Sequence, residues 1–219
     1  MSKLSLSKPL LILLYGFPGS GKTHFARQLS ETLGIAHLQG DRIRYELFEN
    51  PRYDKEENDI VTHIMDYMTE VLLQAGVSVI YDTHVLRLAQ RRVLRDMARK
   101  SRAEHALIWL QIDNDAAFAR VSGRDRRKAD DKYAVPLTQP QFEKLMAAMQ
   151  NPRDEDYIVI SGKHTFNAQR GSVTKKFYEL GYLDAETAMS KVVKPGMVNL
   201  IPNPMAGRVD QARRNIIIR

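Results

Sequence analysis

Eight consecutive residues, Gly16-Phe17-Pro18-Gly19-Ser20-Gly21-Lys22-Thr23, match G-x-x-x-x-G-K-[ST], the spacing of a phosphate-cradling loop. The residue types explain the chemistry. Glycine backbones let several amides approach one anion, and a helix beginning at the loop adds the positive end of its dipole. Lys22 supplies charge for the β and γ phosphates of a nucleotide, and the Thr23 hydroxyl is the oxygen that a Mg²⁺ ion takes in such loops. A nucleotide and Mg²⁺ are the expected ligands, with Gly16 through Thr23 as the binding residues.

Three further groups carry charge where phosphoryl chemistry would use it. Asp41 and Arg44 stand three residues apart, one helical turn. A carboxylate there can accept the proton of an attacking hydroxyl, and the arginine can hold a substrate phosphate or brace the carboxylate. The same spacing also suits an aspartate capping a helix, with its arginine on the surface. Asp82 closes an apolar run and would hold Mg²⁺ through water, fix the substrate or cap the following helix, with Thr83 beside it as a second substrate-side hydroxyl. Arg120 and Arg124, again one turn apart, lead into Arg126-Arg127-Lys128. Arginines on a closing segment can stabilise charge on a transferred phosphoryl group, although Asp125, Asp130 and Asp131 also make this a solvated charged loop.

Elements that would position these groups follow from periodicity. The apolar run Leu10–Tyr15 has the length of a strand buried on both faces, and Phe25, Ala26, Leu29 and Leu33 repeat at helical spacing after the loop. Further strands are predicted at 35–38, 77–81, 105–112 and 157–160. Helices are predicted at 54–75, from 86 to about 102, from about 115, at 139–150 and at 170–180. In the long helix, Ile60, Ile64, Met68, Val71, Leu72 and Ala75 form the expected core face. In the next, Ala89, Val93, Leu94 and Met97 point inward, with Arg87, Arg91, Arg95 and Arg99 as an opposite stripe that could track a phosphate backbone. Strand–helix alternation implies a three-layer α/β fold with a parallel sheet covered on both faces. Residues 1–186 read as one domain, and 187–219 as a basic extension broken by Pro195, Gly196, Pro202, Pro204 and Gly207.

With 219 residues and 43% hydrophobic content, the chain is long enough for a sizeable core. The absence of cysteine excludes a disulfide framework and suits a cytoplasmic protein. No stretch approaches a membrane span. A net charge of +7 favours an anionic partner, which nucleotide or nucleic acid would satisfy.

The P-loop, Asp41-Arg42-Ile43-Arg44, Val79-Ile80-Tyr81-Asp82-Thr83 with Arg91-Arg92, Arg120-x-x-x-Arg124 and Ala134-Val135-Pro136 together resemble the kinase domain of phage-type polynucleotide 5′-hydroxyl kinases and their small bacterial relatives. The resemblance covers most of residues 8–165. It implies a five-stranded parallel sheet of the adenylate-kinase type and transfer of the ATP γ-phosphate to a hydroxyl. It makes Asp41 the general base, Arg44 a contact to the acceptor's phosphate, Arg124 the lid arginine and Asp82 a support for the substrate side. It also sets Ser161–Thr165 near the adenine base. An RNA or DNA 5′ end is the leading acceptor. The alternatives are an antibiotic, sugar or nucleotide-sugar kinase of the same fold, and an ATP-binding regulatory or RNA-binding protein without turnover.

Overall fold

The computed structural model describes residues 5–83, 87–125, 127 and 132–183. The expected extension at 187–219 and part of the charged segment at 126–131 lie outside the described residues.

Six apolar residues in succession make β1 (Leu10–Tyr15), which every neighbour covers. It is the centre of a five-stranded, wholly parallel sheet with β2 (Ala36–Gln39), β3 (Val79–Asp82), β4 (Glu104–Gln111) and β5 (Ile158–Ser161), ordered β2-β3-β1-β4-β5. Parallel strands need crossovers, and the helices supply them: α1 (Lys22–Leu33), α2 (Gly40–Leu47), α3 (Lys55–Gln74), α4 (Leu88–Lys100), α5 (Asn114–Ser122), α6 (Gln139–Ala147) and α7 (Phe166–Glu179). Alternation along β1 divides the core in two. Leu10, Ile12 and Leu14 pack on Phe25 and Leu29 of α1 and Val173 and Phe177 of α7. Leu11, Leu13 and Tyr15 pack on Val61, Met65 and Leu73 of α3 and Leu94 and Ala98 of α4. With all strands parallel, every loop that follows a strand gathers at one edge of the sheet.

Element order agrees with the sequence reading, but two helix faces do not. On α3 the buried positions are Glu57, Val61, Met65, Thr69 and Leu73, while Ile60, Met68, Val71 and Ala75 face outward. α3 carries apolar residues over more of its circumference than one packing face needs, so periodicity alone selected the wrong arc. On α4, Ala89 and Val93 are exposed and Arg91 is fully buried. The Arg91 guanidinium reaches Glu155 (Nε–Oε2 3.0 Å) and the Gln150 carbonyl (2.9 Å), and lies 5.1 Å from the Tyr15 ring centre. Arg95 binds the same carboxylate. The arginines therefore do not form a surface stripe; two of the four neutralise a buried acid. Helix α7 also starts at Phe166, four residues before the predicted 170. No helix among the described residues is long and apolar enough to cross a membrane.

Candidate active site

The loop between β1 and α1 has a shape that only glycine permits at two points. Gly16 has φ 145° and Gly19 φ 81°. A Cβ on Gly16 would stand 2.4 Å from the Leu110 carbonyl oxygen, and one on Gly19 would stand 2.3 Å from that of Ala117. The loop is thus wedged against β4 and α5, and the Ser20 amide closes it by donating to the Phe17 carbonyl (3.0 Å). Lys22 curls back over it, donating from Nζ to the carbonyls of Gly16 (2.8 Å) and Phe17 (3.0 Å). Burial pushes the Lys22 ammonium down to about pKa 8; Asp82 and Asp41 pull it back up, and Arg124 pushes it further down. Residues from four different segments therefore act on one ammonium group. Ser20 Oγ is buried within the loop and has no hydrogen-bond partner among the described residues.

Around the loop lies a cavity of about 530 Å³, within the range of small-ligand sites. Pro18 through His24 form its floor. Asp41, Asp82, Thr83, Arg120 and Arg124 all line it, which gathers most of the sequence-predicted site. Asp41 sits in the first turn of α2, whose N-cap is Gln39, so it is not a capping aspartate. Asp82 ends β3 with its side chain buried, and its Oδ2 lies 3.0 Å from His37 Nε2. Arg120 Nη1 donates to the Gly162 carbonyl (2.9 Å), and Arg124 Nη1 to that of Val135 (3.0 Å), tying both arginines to loops at the cavity rim. Gly162, Lys163, His164 and Thr165, the segment expected near a base, close the far wall with Gln169.

Arg44 is the exception. It is buried, and its terminal nitrogens go to Glu57 Oε2 (3.1 Å) and Asn58 Oδ1 (2.6 Å), with its guanidinium carbon 4.6 Å from the Tyr53 ring centre. It is absent from the cavity lining. Glu57 also accepts from the amides of Arg52 and Tyr53. Burial opposes its charge, yet these donors and Arg44 together hold its carboxyl below the ordinary range. In this arrangement Arg44 braces the loop between α2 and α3.

Sequence reasoning missed His37, Glu57 and Asn58. His37 stands two residues before Gln39, which pairs with Asp82 across β2 and β3, so both side chains share one face of the sheet. Only the strand register reveals that, and nothing local signals it.

Residues and group are compatible for a magnesium ion. One hydroxyl (Thr23) and one carboxylate (Asp82) on the cavity wall suit a small ion that draws its other ligands from phosphate and water. Among the described residues, no cluster of three or more histidine or acidic side chains forms an independent metal cage.

Among known proteins, the chain is similar to an adenylate kinase of Thermosipho melanesiensis, 28% identical over 141 residues, covering 59% of this chain and 66% of that one. It is also similar to a probable adenylyl-sulfate kinase of Pyrococcus abyssi, 27% identical over 180 residues, covering 78% and 97%. Its fold matches the Mycobacterium tuberculosis APS kinase CysC in complex with AMPPNP and APS, with a TM-score of 0.59 at 16% identity over 78% of this chain and 98% of that one. A chain of the Pnkp1/Rnl/Hen1 RNA repair complex matches with a TM-score of 0.55 at 19% identity over 68% and 45%. The family model described as AAA domain matches residues 11–152, and the chain belongs to that family, with a fold shared with the solved APS kinase.

Proposed function

We propose that this protein is an ATP-dependent kinase that phosphorylates a hydroxyl of a small molecule or nucleotide. One observation carries the reading: the P-loop, Asp41, Asp82, Arg120 and Arg124 line a single cavity at the carboxyl edge of the sheet. ATP would lie with its phosphates on the loop amides and Lys22. The acceptor oxygen attacks the γ-phosphorus, its proton passing to the Asp41 carboxylate, as the bond to the bridging oxygen breaks and ADP leaves. Arg120 and Arg124 face the charge that spreads over the transferred group. Thr23 and Asp82 would hold Mg²⁺, which when bound neutralises phosphate charge. Because Arg44 is committed to Glu57 and Asn58, we assign it to bracing the acceptor side rather than to an acceptor phosphate.

The small-molecule acceptor is favoured over the polynucleotide. The arginine stripe expected to track a nucleic-acid backbone is partly consumed by Glu155, and the relatives matched at 27–28% identity are by name kinases of adenylate and adenylyl sulfate. A polynucleotide 5′-hydroxyl is the second reading, favoured by the RNA-repair match and the net charge of +7. Cysteine-free composition suits a cytoplasmic site of action.

Transfer of labelled γ-phosphate to a panel of nucleotides, adenylyl sulfate, sugars, antibiotics and a 5′-hydroxyl oligonucleotide separates these readings. A labelled small molecule is the expected product. Asp41→Asn is expected to lower turnover on that acceptor by about 10²–10⁴-fold, the usual worth of a positioned base. ATP binding with no acceptor-stimulated turnover across the panel would instead indicate a regulatory nucleotide-binding protein.

A further inference from the structure

Helix α3 presents an apolar stripe that nothing among the described residues covers. Tyr67 is 65% exposed, Val71 46%, Ile60 40% and Met68 37%, with Ile64 half-buried between them. Their spacing of i, i+4, i+7, i+8 and i+11 puts them on one side of the helix. Its opposite arc already packs on the sheet through Val61, Met65 and Leu73. A helix apolar on both sides is characteristic of a buried helix, and a contiguous apolar patch edged by charge marks an interaction surface. The edging charge here is acidic: Glu56, Asp59 and Glu70 are exposed on the same helix.

We propose that this face is the docking site of the protein's own segment 187–219. The complementarity is chemical. Residues 187–219 carry Lys191, Lys194, Arg208, Arg213, Arg214 and Arg219 against the single acid Asp210, interleaved with Val192, Val193, Met197, Val198, Leu200, Ile201 and Ile216-Ile217-Ile218. A basic, apolar segment therefore meets an acidic, apolar helix face. A second copy would instead bring two acidic helix faces together, at a cost in like-charge repulsion.

Position agrees. The described chain closes at Leu183, which pairs antiparallel with Leu6, while Ser7 binds Tyr182 and Gly181. Residues Ser5–Pro9 border the same cavity as Gly76, Val77 and Ser78, the turn that immediately follows α3. The described chain thus closes, on the α7 side of the sheet, near the end of the sheet at which α3 terminates. At 1.5 Å per residue α3 is about 30 Å long, a span that roughly ten extended residues cover.

The chain's lack of cysteine supplies the test. In the full chain, Met68→Cys is combined in turn with Val193→Cys, Leu200→Cys and Ile217→Cys, and disulfide formation is followed under mild oxidation. Matched variants place the first cysteine at Arg99, exposed on α4. Circular dichroism and ATP binding verify that each variant is folded. At least one segment position is expected to form an intramolecular disulfide with residue 68 about tenfold faster than with residue 99, as a docked segment raises local concentration. Charge reversal by Glu56→Lys with Glu70→Lys should remove that advantage. Equal rates at residues 68 and 99 would overturn the proposal, as would disulfides formed only between two chains, which would make the face a homodimer contact.

Discussion

On the proposed reading nucleotide binding turns on Lys22, and its environment would give that binding a pH dependence. In the free protein burial brings its pKa from 10.5 to about 8. Below pH 8 the ammonium is charged and ready for phosphate; above it the charge is lost, and ATP must bring a proton with it. ATP affinity should fall as pH rises through about 8, with proton uptake on binding visible by calorimetry in buffers of different ionisation enthalpy. The stability sign is the opposite. Between about pH 8 and 10.5 the unfolded chain binds more protons at Lys22 than the folded one, so the nucleotide-free fold gains stability from this group across that window. A pH-independent affinity from 7 to 9.5 would contradict the burial argument. Gly19→Ala tests the loop itself. Its Cβ would stand 2.3 Å from a backbone oxygen at a φ of 81°, so the loop must shift, and ATP binding should be lost in a protein that keeps its helical circular dichroism.

Two buried arginine–glutamate pairs hold the elements around the site. Arg91 and Arg95 of α4 clasp Glu155, fixing the segment before β5 to the helix after β3. Arg91→Leu leaves that carboxylate with one partner in a buried setting, and loss of such a pairing costs about 3–5 kcal/mol. The urea midpoint should drop at an unchanged slope, which would show that stability alone has moved. Glu57 plays the equivalent part between α2 and α3. Burial raises both carboxyls, but arginines, joined at Glu57 by two amides, overcome it and hold both below the ordinary 4.5. Their contribution is therefore fully present above that value and is lost as pH falls through the depressed folded pKa. Acid titration of Glu57→Gln with Glu155→Gln should show a shallower loss of stability than the parent chain.

At the scale of the molecule, the sheet edge and the ligand cavity are one structure, because the P-loop, α2, the end of β3 and the loop after β5 all meet there. A ligand that spans these segments ties them together. ATP at one hundred times its dissociation constant should add about 2.7 kcal/mol to the folded state. For a chain of this size that corresponds to a rise of roughly 5–11 °C in Tm, measurable by scanning fluorimetry. Lys22→Met, which removes the ammonium proposed to meet the phosphates, should abolish most of that rise.

The sequence by itself determined the P-loop, the strand–helix alternation and the set of acids and arginines that follow the strands. Each is a local pattern: a glycine spacing, an apolar run, a residue just past a strand end. Because parallel strands send all such residues to one edge, Asp41, Asp82, Thr83, Arg120 and Arg124 could be named together before their distances were known. Tertiary structure decided which charges were spent. Arg91 finds Glu155 sixty-four positions away, and His37 finds Asp82 forty-five away. Such pairings depend on strand order and register, which periodicity does not encode. It also decided the phase of α3. With apolar residues over more than one arc, the helix offered two candidate faces, and only contact with β3 and α4 determined that Val61, Met65 and Leu73 would be buried while Ile60, Tyr67, Met68 and Val71 would not.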